Sequence, residues 1–358
     1  MSKKRMDAVR KRLKAENLDG LVVTHLDHVR YLSGYTGSNG LLVILPTSAE
    51  FLTDFRYAEQ ARKQVKGARV RVADRGDLVA ALADLTHLNK KNYRYGYSAS
   101  YMTVAAAEQL KGSLSKTLLA SADAILFDLG WVKDRDEIDS IAQAAEIGDI
   151  ALERVLNILR PGVQEREIAA ELEYQMAMMG SEKPAFETIV ASGHRSALPH
   201  GVASSKRVKK GDLVTFDFGA TVNGYVSDMT RTVVVGKATP RQKKIYGIVL
   251  RAQQAGIRKV KAGVPGSKVD KTCRDIITRA GFGKEFGHGT GHGIGFYVHV
   301  GPRLGAKSED ILQVNNVVTV EPGIYIAGWG GVRIEDDVVV TRTGGKVLNH
   351  AEKKLLEL

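Results

Sequence analysis

Short apolar runs bounded by turn residues recur along the first third of the chain. Residues 20–24, 40–45, 50–53, 70–72 and 93–97 have the length and composition of strands, whereas Met6, Val9 and Leu13 fall on one helical face. Strand and helix candidates alternate, which predicts an α/β domain over 1–127. Around residues 128–135 the pattern changes. A helical period runs from about 134 to 159 and is stopped by Pro161-Gly162, and a second places Ile168, Leu172, Met176 and Met179 on one face before Gly180. A third helix is expected at Thr239-Pro240, with threonine as cap and proline in the first turn, and a fourth with Ser267 as cap. Strand-rich stretches accompany both helix pairs. The order helix, helix, strands, helix, helix, strands predicts an α+β domain over 128–358, made of two related halves.

Length agrees with this division, since 358 residues exceed one core at about 150 residues per domain. No apolar run approaches the roughly 20 residues of a membrane helix, and the start MSKKRMDAVRKRLKAENLDG lacks an apolar signal segment. A cytoplasmic protein with no membrane partner is expected. The lone Cys273 excludes an internal disulfide framework and cysteine-clustered metal sites, and its helical spacing from Val269, Ile276 and Ala280 places it in a core. The net charge is +12, and 20 basic against 12 acidic residues in 1–127 put +8 of it there. The basic residues form short clusters without a nucleic-acid-binding motif, so solvated surface is the better reading than a nucleic-acid partner.

Chemistry concentrates in the second domain. The stretch LVTFDFGATVNGYVSDMTRTVVV is a hairpin around Asn223-Gly224, the favoured two-residue turn. With 222 and 225 flanking the turn, Asp217 faces Thr230 and Asp228 faces Gly219. The two aspartates then project from one face as diagonal neighbours about 7 Å apart. The construction returns in VVTVEPGIYIAGWGGVRIEDDVVVT. Taking Ile326 and Val332 as the flanking pair sets Glu321 opposite Asp337 and Glu335 opposite Gly323. Asp217-Phe-Gly219 and Glu321-Pro-Gly323 thus look like equivalent points of two halves. Four converging carboxylates require cations to hold them.

Between the hairpins lies FGHGTGHGIGFYVH, with glycine at 287, 289, 291, 293 and 295. The alternation fits neither a dinucleotide loop nor a zinc-protease helix. In an extended strand His288 and His292 stand roughly 13 Å apart, so one metal centre takes only one of them. Four carboxylates and one imidazole, without sulfur, favour Mn²⁺, Co²⁺ or Fe²⁺, leave Zn²⁺ open, and disfavour Mg²⁺ and Ca²⁺. Five side chains imply two ions, because one ion must keep an open position.

These residues, in this order, resemble the pita-bread metallopeptidases, and within them the Xaa-Pro peptidases: prolidase (Xaa-Pro dipeptidase) and aminopeptidase P. YLSGYTGSNG and TDFRYAEQA are similar to the creatinase-like N-terminal domain of that group, and ASGHRSALPHG, TFDFGA, SDMTRT, FGHGTGHGIG, VEPGIY and RIEDD to its catalytic domain. The resemblance implies two divalent ions per subunit held by Asp217, Asp228, His292, Glu321 and Glu335, with Mn or Co favoured and Zn or Fe compatible. It implies that His200 contacts substrate, that His299 stabilises the tetrahedral intermediate, and that Arg303 binds the free carboxylate of a dipeptide. Glu321 would relay a proton from the attacking water. The ligand spacings of 11, 64, 29 and 14 residues are closer to the compact prolidases. Val300 stands where the family usually has an acid, a departure that removes no ligand.

The expected substrates are short proline-containing peptides, dipeptides before the longer substrates of an aminopeptidase P, and the resemblance implies a homodimer. A creatinase-like hydrolase or a non-catalytic binding module on the same fold is the weaker reading, since neither need keep all five ligands.

Overall fold

The computed structural model describes residues 2–74 and 76–358 and contains two compact units, Met1–Leu129 and Gly130–Leu358. In the first, strands β1 (Gly20–Val23), β2 (Leu41–Ile44), β3 (Ala49–Asp54), β4 (Arg69–Ala73), β5 (Arg94–Tyr97) and β6 (Leu118–Ser121) form one mixed sheet in the order β4-β3-β2-β1-β5-β6. Helices α1 (Ser2–Ala15), α2 (Leu26–Ser33), α3 (Ala58–Gln64), α4 (Leu78–Ala81), α5 (Val104–Ser113) and α6 (Asp123–Leu129) complete it. The central strands are buried on both faces, and their alternate side chains enter different cores. Leu21, Val23, Leu42 and Ile44 join Met6, Val9 and Leu13, whereas Val22, Leu41 and Val43 join Leu78, Leu82 and Leu110. The sequence reading had no β6, an edge strand whose Leu118 is exposed and which therefore lacks a buried apolar pattern.

The second unit holds helices α7 (Arg135–Leu156), α8 (Glu165–Met178), α9 (Pro240–Lys259) and α10 (Gly266–Arg279). Its strands are β7 (Ile189–Ser192), β8 (Leu213–Phe218), β9 (Thr221–Val222), β10 (Tyr225–Val226), β11 (Met229–Val234), β12 (Gly291–Gly293), β13 (Val300–Leu304), β14 (Val317–Val320), β15 (Gly323–Ile326), β16 (Gly330–Arg333), β17 (Asp336–Val340) and β18 (Gly345–Val347). They form sheets β11-β8-β7 and β13-β12-β14-β17-β18, with ribbons β9/β10 and β15/β16. One core joins α7 and α8 to β7, β8 and β11, and a second joins α9 and α10 to β14, β16 and β17. The helix-pair-on-hairpin unit thus occurs twice. Capping boxes at Asp134 and Thr239 start α7 and α9.

Two expectations need correction. Helix α10 begins one residue before Ser267, with Pro265 in the cap position. Gly266 packs so closely on the Arg303 carbonyl that a Cβ would lie 2.1 Å from its oxygen, and its N–H donates to the Asp310 carbonyl. That contact fixes where the helix starts. The second hairpin also has a different register. Ile326 pairs with Gly330 and Thr319 with Asp337, so the turn has three residues rather than five, and continuing the ladder sets Glu321 opposite Glu335 rather than opposite Asp337. A shift of two preserves facing, because side chains alternate with period two, and both acids keep their common face. The first hairpin has the expected register, with Thr230 opposite Asp217 and Tyr225 opposite Val222.

Among the described residues no helix is long and apolar enough to cross a membrane. Cys273 is buried, its Sγ donating to the Ala252 carbonyl.

Candidate metal centre

Each hairpin places one candidate ligand acid at each side of its ribbon. Asp217 lies in β8 and Asp228 just before β11, while Glu321 follows β14 and Glu335 precedes β17. His292 is in β12, which pairs with β13 and β14. The glycines beside it permit this approach: a Cβ on Gly291 would lie 2.0 Å from the Thr319 carbonyl oxygen, and one on Gly293 2.2 Å from that of Gly301. Glycine alternation thus lets neighbouring strands close on His292, whose N–H donates to Thr319 Oγ1 at 3.2 Å.

Ligand atoms of Asp228, His292 and Glu335 lie within 4.8 Å of one another. His292 Nε2 is 3.7 Å from Asp228 Oδ2 and 3.5 Å from Glu321 Oε1. Asp217 Oδ2 accepts from Arg333 at 2.5 Å, but its buried Oδ1 has no hydrogen-bond partner among the described residues. Burial and the neighbouring carboxylates, Glu335 first, hold Asp228 well above its usual value. Burial, Glu321 and Asp217 do the same to Glu335, and burial pushes Glu321 up to about 8. Burial lowers His292 to about 4, leaving a neutral imidazole able to donate its lone pair. Arg333 is buried among these acids, and one guanidinium cannot balance four carboxylates. Oxygen donors, a neutral imidazole and an orphaned carboxylate oxygen fit divalent cations.

All eight expected site residues, His200, Asp217, Asp228, His292, His299, Arg303, Glu321 and Glu335, line one cavity of about 680 Å³. The His292 and His299 rings are 4.3 Å apart between centroids. Val300, at the unusual position, pairs with Gly293 in the strand ladder.

The sequence reading missed the support around the acids. Arg333 donates to Asp217, to Thr230 Oγ1 at 2.9 Å and to the Tyr325 hydroxyl at 2.8 Å, and that hydroxyl lies 2.9 Å from His288 Nε2. Thr230 in turn donates to Glu335 Oε2 at 2.5 Å. The available signal was alternation, because Arg333 stands two residues before Glu335 and shares its face. Buried Asp270, on α10, accepts from Thr290 N at 3.1 Å and Oγ1 at 3.0 Å and pairs with Arg274, which donates to the carbonyls of Phe286 and His288. This pair anchors the start of the glycine-alternating segment, and Phe286 and Ile294 pack into hydrophobic cores.

Residues 139–342 match the family description "Metallopeptidase family M24" and residues 5–129 "Creatinase/Prolidase N-terminal domain". The chain is 38% identical over 356 residues to an Xaa-Pro dipeptidase of Pyrococcus furiosus, covering 99% of this chain and 100% of that one. A solved structure described as Xaa-Pro dipeptidase from Bacillus anthracis superposes with a TM-score of 0.94 at 41% identity, over 100% of both chains. An X-Pro aminopeptidase structure from Thermotoga maritima has a TM-score of 0.89 at 36% identity, over 96% of this chain and 98% of that one. The chain belongs to metallopeptidase family M24, with a creatinase/prolidase N-terminal domain ahead of its pita-bread peptidase domain.

Proposed function

We propose that this protein hydrolyses the peptide bond preceding proline in Xaa-Pro dipeptides, with two divalent ions per subunit, Mn²⁺ or Co²⁺ before Zn²⁺ or Fe²⁺. Asp217, Asp228, His292, Glu321 and Glu335 would hold the ions, and the active form would be a cytoplasmic homodimer of domains 1–127 and 128–358. The observation that carries this reading is that the Asp228–His292–Glu335 cluster shares its cavity with His200, His299 and Arg303.

Bound divalent ions supply Lewis acidity and a water activated near neutral pH. Glu321 would accept the proton of the attacking water and relay it. His299, beside the His292 ring, would donate to the developing oxyanion, and His200 would contact the substrate. Arg303 pairs with the carboxylate of the terminal proline, a contact that rewards a two-residue substrate. The tertiary amide before proline has no N–H to offer a peptidase, so these contacts must orient it. An aminopeptidase acting on longer Xaa-Pro peptides is the second reading, favoured by the similarity to the Thermotoga protein.

The test is hydrolysis of Ala-Pro beside Ala-Pro-Ala by metal-stripped protein, before and after addition of Mn²⁺ or Co²⁺. Metal-dependent cleavage of the dipeptide, lost in Arg303→Ala, supports the dipeptidase. Preference for the tripeptide moves the assignment to the aminopeptidase, and cleavage of neither removes both.

A further inference from the structure

Glu165 opens α8, is fully buried, and is not among the residues that line the metal cavity. Its carboxylate accepts five hydrogen bonds. Oε1 takes Ser192 N at 2.7 Å and the Ser192 hydroxyl at 2.8 Å, while Oε2 takes Arg195 Nε at 2.9 Å, Ser204 N at 3.1 Å and the Ser204 hydroxyl at 2.6 Å. Lys206 Nζ extends the network, donating to Ser192 Oγ at 2.6 Å and to Asp212 Oδ2 at 2.8 Å. The backbone repeats the connection, since Glu165 N donates to the Lys206 carbonyl and Arg166 N to that of Ser204. Burial alone would raise the Glu165 pKa, but hydrogen bonds from Ser204 and Ser192 and the charge of Arg195 carry it below the ordinary value.

Ser192 and Ser204 are the two ends of one excursion of the chain. Between them run a single 3₁₀ turn, Gly193–Ala197, and then Leu198, Pro199 and His200, of which the last two line the metal cavity. His200 itself is exposed, so packing does not set its place. Ser196, within the turn, accepts from Gly331 N at 2.8 Å and adds one tether from the second half. Both ends of the excursion hang from one carboxylate.

We infer that Glu165 is a positioning residue for substrate binding: by clamping both ends of the 193–203 excursion it fixes where His200 meets the substrate, without touching the substrate itself. The inference rests on the role proposed above for His200. Glutamine cannot reproduce the clamp, because its NH₂ group would confront donors where only acceptors fit.

The test uses the full chain loaded with Mn²⁺. Glu165→Gln, and the milder Ser204→Ala in case the first does not fold, are measured for kcat and KM on Ala-Pro, alone and combined with His200→Ala. Amide hydrogen exchange of residues 193–203 is followed alongside. The expected result is a KM raised about tenfold by Glu165→Gln with a smaller change in kcat, and nearly no further rise in the His200→Ala background, the coupling of two residues acting as one unit. Exchange should quicken in 193–203 and stay slow in β8 and β17. A KM effect that persists undiminished without His200, or exchange that is unchanged or rises throughout the molecule, would overturn the inference. If the parent protein cleaves no proline peptide, the proposed function fails, and the exchange result alone still decides whether Glu165 holds this loop.

Discussion

In the first half of the peptidase unit, β8 and β11 are joined through the short ribbon β9/β10, with two residue pairs and an Asn-Gly turn. In the second half, β14 and β17 are joined through β15/β16, with four pairs and a three-residue turn. Each half sets one acid on either side of its ribbon, Asp217 and Asp228 or Glu321 and Glu335. The support, however, is exchanged between the halves. Arg333 of the second half holds Asp217 of the first, Thr230 of the first holds Glu335 of the second, and Asp337 accepts from the backbone N–H of Asp228 at 3.0 Å. Neither half makes a site alone, and the comparison teaches that the repeated architecture places the carboxylates while each half orients those of the other.

The largest effect should come from removing one acid of each half. Asp228→Ala and Glu335→Ala should each reduce Ala-Pro hydrolysis below detection and lose bound metal, measured by turnover and elemental analysis. Retention of half the activity by either variant would mean that the halves work independently.

The next effect concerns charge. Burial and mutual repulsion raise Asp228 and Glu335, and burial pushes Glu321 up to about 8. A carboxyl whose folded pKa exceeds its unfolded value stabilises fully below the unfolded value and loses that contribution as pH rises through the folded one. Metal-stripped protein should therefore show a falling Tm as pH rises from about 4.5 towards 8, where Glu321 titrates. Mn²⁺ should reverse the fall. Differential scanning calorimetry checks both, and a Tm insensitive to pH and metal would contradict the crowding of the acids.

Breaking the exchanged support should cost less than removing a ligand. Arg333→Met leaves Asp217 and Tyr325 without their donor, and loss of about 10- to 100-fold in kcat/KM is expected, typical of groups that orient metal ligands. Asp270→Asn, which loosens the glycine-alternating strand, should cost about tenfold with weaker metal binding, measured by titration calorimetry. The smallest effect tests the helix starts. Thr239→Ala should destabilise by about 1 kcal/mol in urea unfolding, whereas Ser267→Ala should be near neutral, since Ser267 lies inside the helix.

Much of this was legible in the sequence because the signals were local. The Asn223-Gly224 turn permits one register, and the facing of Asp217 and Asp228 follows from counting. The turn around Gly328 offers several lengths, so the second register was off by two, an error that alternation forgives. The start of α10 depends on Gly266 meeting Arg303, distant in sequence, and no capping rule could locate it. Arg333 and Glu165 escaped for a similar reason, because a buried charge takes its meaning from partners brought by other elements. Asp217 lies 116 positions from Arg333, and Ser204 39 from Glu165.

The central claim is that acids from both halves converge on two divalent ions. The most direct measurement is a crystal structure of Mn²⁺-loaded protein with anomalous scattering at the manganese edge. Two peaks about 3.5–4 Å apart, flanked by Asp217, Asp228, Glu321 and Glu335 with His292 on one of them, are predicted. A single peak, or peaks bound by the acids of one hairpin only, would contradict it.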